Sequence, residues 1–290
     1  MQIQFDGPAA QCVAGPAAER AAEAGASGKR ALMWLNQDRV LYVGLLGAPS
    51  VRTLGAYSIY LSLALPHRIS VDGGAWQTTG LSIVPPQVPH RIVSDERMIC
   101  NLLVESETVT PTRLPAWMRD GRGAIADPEI GCVVRRGLDA FQRSGQKPYG
   151  RGDGLSDDFD RAFFGEPLPR RLIDRRIGEV LARIRLGPNQ PHSAEECAAL
   201  IHVSVSRFLH LFKAEVGVAF RSFRTWQRAR SVLYLVTQTA NLTTIALDVG
   251  YPDSTHFSHS IRHVFGLTPK SIFAGCRQLA LYAGPAAIAR

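Results

Sequence analysis

Apolar positions change their period along this chain. From about Arg39 to Glu105 they come as short apolar or alternating runs: Val40–Leu46, Tyr57–Leu65, Arg68–Val71, Leu81–Val84, Arg91–Val93 and Met98–Val104. Turn residues separate several of them, most clearly Asp72-Gly73-Gly74, a hairpin signal. Closely spaced short strands predict an antiparallel sandwich or small barrel. Helical spacing follows. Asp127-Pro128 reads as an N-cap and first-turn proline, and Ile130, Val133, Val134, Leu138 and Phe141 fall on one stripe behind it. Gly145 to Gly154 is a break. A second amphipathic helix is predicted over Leu168–Leu186, with Pro169 in its first turn and Leu172, Ile173, Ile177, Val180, Leu181 and Ile184 on its stripe. Gly187-Pro188-Asn189-Gln190-Pro191 stops it. Residues 1–30 are rich in Ala, Gly and Glu and are expected to be a flexible tail.

The C-terminal part repeats one pattern at an offset of 49 residues: Phe208-x-His210-x-Phe212-Lys213-x-x-x-Gly217 and Phe257-x-His259-x-Ile261-Arg262-x-x-x-Gly266. Each copy reads as a helix with a glycine stop, preceded by a small helix and a turn. In the first, Ser193-Ala194-Glu195-Glu196 is a capping box, Ala198 leaves room for a crossing helix, and Ser204 caps the second helix. In the second, which begins near Thr243, Ala246 takes the place of Ala198, Gly250 turns the chain and Asp253 caps. Phe208, Leu211, Phe212, Phe257, Ile261 and Val264 or Phe265 are expected to point inward. A helix from about Phe220 to Val236 joins the copies. It spans about 25 Å at helical rise, against about 34 Å between successive major grooves on one DNA face. With a globular unit at each end, two such helices suit two neighbouring grooves.

Charge strengthens that reading. Residues 1–165 are net zero, so the whole formal excess of +8 lies in residues 166–290, where the repeat is. Such a field attracts phosphates. No apolar run approaches the length of about 18 residues that a membrane span needs, and the N-terminus lacks the order of a secretory signal. The five cysteines are scattered and form no C-x-x-C, which argues against a disulfide framework or a cysteine-built zinc site. A cytoplasmic location is expected.

From about Ser193 to Phe273 the chain resembles the AraC/XylS family of bacterial transcription regulators. The resemblance is carried by F-K-A-E-V-G at Phe212–Gly217, R-T-W-Q-R-A-R at Arg224–Arg230, G-Y-P-D-S-T-H-F-S at Gly250–Ser258 and G-L-T-P at Gly266–Pro269. It implies an all-α DNA-binding domain with two helix-turn-helix units on a long linking helix. The family's base-reading positions then fall on Ser206, Leu209 and His210, and on Thr255, Ser258 and His259. Phosphate contacts fall on Ser204, Arg207, Lys213, His256 and Arg262. Two departures stand out. His202 occupies a turn position where the family often has Gly, and the base-reading set lacks the Arg or Gln suited to bidentate contacts.

In the first half, Gly80 through Pro85-Pro86-Gln87-Val88-Pro89-His90 looks like the second half of a cupin signature, with Gln87 where that signature has Gly. The only earlier histidine in reach is His67, so a metal-dependent cupin enzyme stands as the alternative reading, and no metal or cofactor is expected. A cupin-like domain would sense an effector. Tyr57, Tyr60, Trp76, His90 and Arg91 are the candidate lining groups, and an arginine favours an anion. The expected organisation is a tail (1–30), a cupin-like sensing domain (31–125), a helical linker and dimerisation region (126–187), a DNA-binding domain (188–276) and a C-terminal tail (277–290). Expected partners are double-stranded DNA, a small-molecule effector, RNA polymerase for an activator, and a second copy of the chain through Leu168–Leu186. No enzymatic activity and no membrane are expected.

Overall fold

A computed structural model describes residues 32–47, 49–143, 155–235, 249–251, 253–269 and 280–283. Ten strands form two sheets among the described residues: β1 (Leu32–Leu35), β2 (Arg39–Leu45), β3 (Ala56–Leu61), β4 (His67–Val71), β5 (Gln77–Thr79), β6 (Leu81–Val84), β7 (His90–Val93), β8 (Met98–Glu105), β9 (Gly123–Ala124) and β10 (Ala280–Ala283). The large sheet runs β10-β1-β2-β8-β3-β6-β9, and the small one β5-β4-β7. Pairing is antiparallel except that β10 lies parallel to β1, so the predicted C-terminal tail supplies an edge strand. The two sheets enclose Leu46, Tyr60, Ile69, Val84, Ile92 and Ile99, which is the sandwich expected from the pattern.

Strands β1 and β3 are buried along their whole length because both faces of the large sheet are covered. Side chains alternate. Trp34, Leu41, Val43, Tyr57, Ile59, Ile83 and Leu102 face helices α2 (Pro128–Arg143) and α3 (Leu155–Phe164). There Trp34 stacks on Phe159 at 5.1 Å. The opposite face carries the small sheet and, elsewhere, Met33, Leu35, Val40, Ala56 and Leu103, which pack against the second helix-turn-helix unit. Helix α1 (Ala116–Arg119) caps the β6 side, where Met118 enters the first core.

Two local expectations needed correction. Helix α3 was not expected at all; its polar face carries Asp157, Asp158 and Asp160, which hid Phe159 and Phe163. Asp160 grips the buried Arg39 with both oxygens, at 2.7 and 2.8 Å. Helix α4 (Arg175–Leu186) begins seven residues later than predicted, because Asp174 caps it by accepting from Arg176 N. The preceding segment instead pairs with a strap: Thr110 N donates to Pro169 O and Arg171 N to Thr108 O. Leu172, placed on the predicted stripe, is therefore 95% exposed. The true stripe, Ile177, Val180, Leu181 and Ile184, is spent inside the subunit on the first helix-turn-helix core. It is not free to form the dimer contact expected of it.

Candidate nucleic-acid interface

The first unit is α5 (Ala194–Leu200), a turn, and α6 (Val205–Val216). The capping box forms as read: Ser193 Oγ accepts from Glu196 N at 3.1 Å, and Glu196 Oε2 accepts from Ser193 N at 3.0 Å. Ala198 is buried at the crossing. His202 does adopt the left-handed conformation, with φ 54°, where glycine would sit without steric cost. Ser204 Oγ accepts from Arg207 N and starts α6. Phe208, Phe212 and Val216 go inward, where both rings meet Phe220, while Leu211 is half-buried. The outer edge holds Ser206, Arg207, Leu209, His210 and Lys213, all exposed. His210 Nδ1 faces Ser206 O at 3.0 Å, which leaves Nε2 for a partner. Gly217 (φ 86°) ends the helix.

The second unit's first helix, with Thr243 and Ala246, lies outside the described residues. Gly250 turns with φ 72°, and a Cβ there would meet Asn189 O at 2.6 Å, so the close approach needs glycine. Helix α8 (Ser254–Phe265) is capped by Asp253, whose Oδ1 accepts from Thr255 N and His256 N, both at 2.8 Å. Those hydrogen bonds, from His256 N first, hold the Asp253 carboxyl below its usual range. Phe257, Ile261 and Val264 are buried and Phe265 is half-buried. Thr255, His256, His259 and Arg262 are exposed, and Ser258 is half-buried. His256 differs from its expected role: its Nδ1 sits 2.7 Å from Asp253 Oδ2, so only its other nitrogen is left for a phosphate. Asp253 fixes two backbone donors at once. Asp253→Ala is therefore expected to cost about 1 kcal/mol, read as a lower urea midpoint with an unchanged slope.

Linking helix α7 (Phe220–Leu235) follows the expected span through its described residues; Val236 lies outside them. Phe223, Trp226, Val232 and Leu233 are buried. The sequence reading missed its other face. Arg221, Arg224 and Arg228 recur at helical spacing on the exposed and half-buried side, and none has an ion-pair partner among the described residues. Burial first, then the like charge of Arg228, lowers the Arg224 pKa. Arg228 lies over the Tyr251 ring at 5.6 Å. It also lines a groove of about 570 Å³ with Thr225, Tyr251, Thr255, His256, His259 and Ser260. The groove thus joins the linker to the outer edge of α8. The i, i+3, i+7 spacing of the arginines was the signal that could have shown this.

The five residues nominated for an effector pocket do not gather. Tyr57 and Tyr60 are three apart on β3, so alternation sends them to opposite faces of the sheet, Tyr57 toward the helices and Tyr60 between the sheets. Tyr60 Oη lies 2.8 Å from His90 Nε2. Arg91 alternates away from His90 and is exposed, and Trp76 is 49% exposed. The cupin-enzyme alternative finds no support either. His67 is engaged by Ser62 Oγ and Ser82 Oγ at 2.8 and 2.7 Å, and His90 by Tyr60 and Val88 O. No group of three His, Cys, Asp or Glu side chains placed to hold a metal exists among the described residues.

Known proteins share this arrangement. The helix-turn-helix domain family matches residues 197–274, which contain both repeats. An uncharacterized HTH-type transcriptional regulator of Haemophilus influenzae is 29% identical over 60% of this chain and 61% of its own length. The arabinose operon regulatory protein of Escherichia coli is 32% identical over 26% of each chain. The chain is similar to these transcription regulators. It spans about three-fifths of the first of these relatives and about a quarter of the second. Among solved structures, an apo variant of ToxT from Vibrio cholerae aligns over 83% of this chain and 98% of ToxT, with a TM-score of 0.56 and 13% identity. At that identity the likeness concerns the fold. In this chain, as in that fold, a β-rich domain precedes the helical one. No described helix is long and apolar enough to cross a membrane.

Proposed function

We propose that this chain is a sequence-specific, DNA-binding transcription regulator whose β-rich half senses a small molecule. The observation that carries the reading is the pair of capped helices, α6 and α8. Each buries an aromatic or aliphatic face and leaves a polar outer edge on one shared linker. In this reading Ser206, Leu209, His210, Thr255, Ser258 and His259 face bases. Ser204, Arg207, Lys213, Arg262 and the free side of His256 hold phosphates, joined by Arg221, Arg224 and Arg228. Phosphate contacts set register and base contacts set sequence. The partners are duplex DNA, an effector and, for an activator, RNA polymerase, in the cytoplasm. A homodimer would have to use a surface other than the apolar stripe of α4.

Selection of bound fragments from a random duplex pool tests the reading, since failure to retain any duplex would end it. On the selected site, Arg207→Ala and Arg262→Ala should each weaken every duplex alike and lower the slope of log K against log salt by about one. His210→Ala and His259→Ala should instead change which fragments win. Unchanged affinity of the double arginine variant at every salt concentration would refute the phosphate roles.

A further inference from the structure

The two outer-edge helices are seated differently. The core beneath α6 draws on α4, α5, α6, α7 and the turns between them, and among the described residues no strand side chain enters it. The core beneath α8 is shared with the sheet domain: Phe257, Ile261 and Val264 lie in one cluster with Leu54, Ala56 and Leu103. Backbone also holds the end of α8. A helix leaves its last carbonyls without an internal donor. Gly266 N donates to Arg262 O, and the next carbonyl, His263 O, accepts from Thr53 N at 3.1 Å. Thr53 lies between β2 and β3, and its neighbours are fixed to the sandwich. Arg52 N donates to His90 O at 2.9 Å, His90 N to Arg52 O at 3.0 Å, and Gln87 N to Leu54 O at 2.8 Å. Donors of an extended segment alternate sides, so Thr53 N points away from the sandwich and at α8. The approach is close: a Cβ on Gly266 would collide with Arg52 Nη2, and one on Gly47 would meet Gly266 O at 2.7 Å. The buried Arg52 guanidinium also donates to Leu46 O at 3.1 Å. A cation there suits the negative end of the helix dipole.

We propose that Arg52 and Thr53, both in the sheet domain, are positioning residues for α8 and thereby set how sharply the second unit discriminates between bases. They act through the C-terminal end of the helix and touch no DNA themselves. The proposal rests on the base-reading role given to α8 above. Hydrogen bonds to base edges weaken steeply with angle and distance. A helix free to rock about its end therefore loses discrimination first, while phosphate contacts sustain affinity.

Fragment selection from a random duplex pool, with full-chain variants, tests the proposal. His210→Ala and His259→Ala first assign the bases that each unit reads. Thr53→Pro removes the N–H given to His263 O, and Thr53→Ala keeps it. In Thr53→Pro, discrimination at the His259-assigned bases should fall about fivefold or more, while the His210-assigned bases are read as in the wild type. Thr53→Ala should read both sets as the wild type does. Where Thr53→Pro has lost cooperative urea unfolding, Arg52→Met against Arg52→Lys decides on the same bases. Met should lose discrimination there, and Lys, which keeps a charge at the helix end, should recover part of it. Wild-type discrimination at both sets in Thr53→Pro overturns the positioning role, and so does an equal fall in both sets. Identical selections by Arg52→Met and the wild type overturn it too, as does a His259→Ala variant that alters no base. The wild type separates the two ideas. If it retains no duplex, the regulator reading itself fails; if it selects a site that the variants read unchanged, only the positioning role is lost.

Discussion

Replacing Arg230 with Met lowers stability by about 3–5 kcal/mol near pH 8, and by clearly less near pH 5. Arg230 lies on α7, and its Nε sits 2.7 Å from Glu105 Oε1 at the end of β8, a side chain with no exposed surface. Trp226 Nε1, one turn earlier, donates to Glu105 Oε2 at 2.7 Å. Arg230 also donates to Asn36 O. Two residues beyond Glu105, the buried Glu107 accepts from Arg185 at 2.9 Å and from Gln227 at 3.5 Å. This junction fastens the sheet to α4 and α7. Burial, and then the neighbouring Glu107, push the Glu105 carboxyl up to about 7 against the pull of Arg230. Its folded pKa is raised, so the folded state keeps a proton that the unfolded chain releases above about 4.5. The Glu105 contribution is therefore complete below about 4.5 and is lost as pH rises through about 7. Without Arg230 the ionised form is buried and unpaired at high pH, whereas at low pH the protonated acid needs no cation. The double variant Glu105→Gln/Arg230→Met should recover much of the loss, since the amide still accepts from Trp226. Urea unfolding at both pH values checks this. An equal deficit at both, or no recovery in the double variant, would count against it.

What the sequence disclosed was set by short-range chemistry. Capping is decided within four residues, so Ser193 with Glu196, Ser204, Asp253, Gly217 and Gly266 marked helix ends that the structure keeps. The outer edges of α6 and α8 followed from the same period. Hidden features depend on partners far along the chain. Whether Tyr57 and Tyr60 share a cavity depends on sheet face, and three residues along a strand reverse the face. Whether Pro169 opens a helix depended on Thr108 and Thr110, about 60 residues away, offering the backbone another partner. The Glu105–Arg230 and Arg39–Asp160 pairs join positions more than 120 residues apart. Nothing local marks them. The arginine face of α7 is local, marked by the helical spacing of Arg221, Arg224 and Arg228.

Acid is expected to unfold the chain chiefly through His67 and His90. Both are almost fully buried, and burial lowers each from 6.5 to about 4. Their hydrogen bonds are made with the ring neutral: Ser62 and Ser82 hold His67, and Tyr60 and Val88 O hold His90. The unfolded chain takes up both protons near 6.5 and the folded one does not. Their stabilisation is thus complete above about 6.5 and is lost as pH falls toward about 4, at roughly 1.4 kcal/mol per pH unit for each ring. Over that window each ring gives up about 3 kcal/mol, and the two together match much of the 5–15 kcal/mol that holds a typical domain. Glu105 works the other way between about 4.5 and 7, cancelling one of the two slopes. These three groups alone therefore place the stability maximum near pH 6.5. His90→Gln keeps a partner for Tyr60 and has no proton to gain. Near pH 7.5 it should be about 1 kcal/mol less stable than wild type. Its stability should fall more slowly on acidification, by about 1.4 kcal/mol per pH unit between 6.5 and 4, so that the two curves cross. Urea titrations across that range decide the matter: parallel curves would mean that His90 does not drive the acid transition.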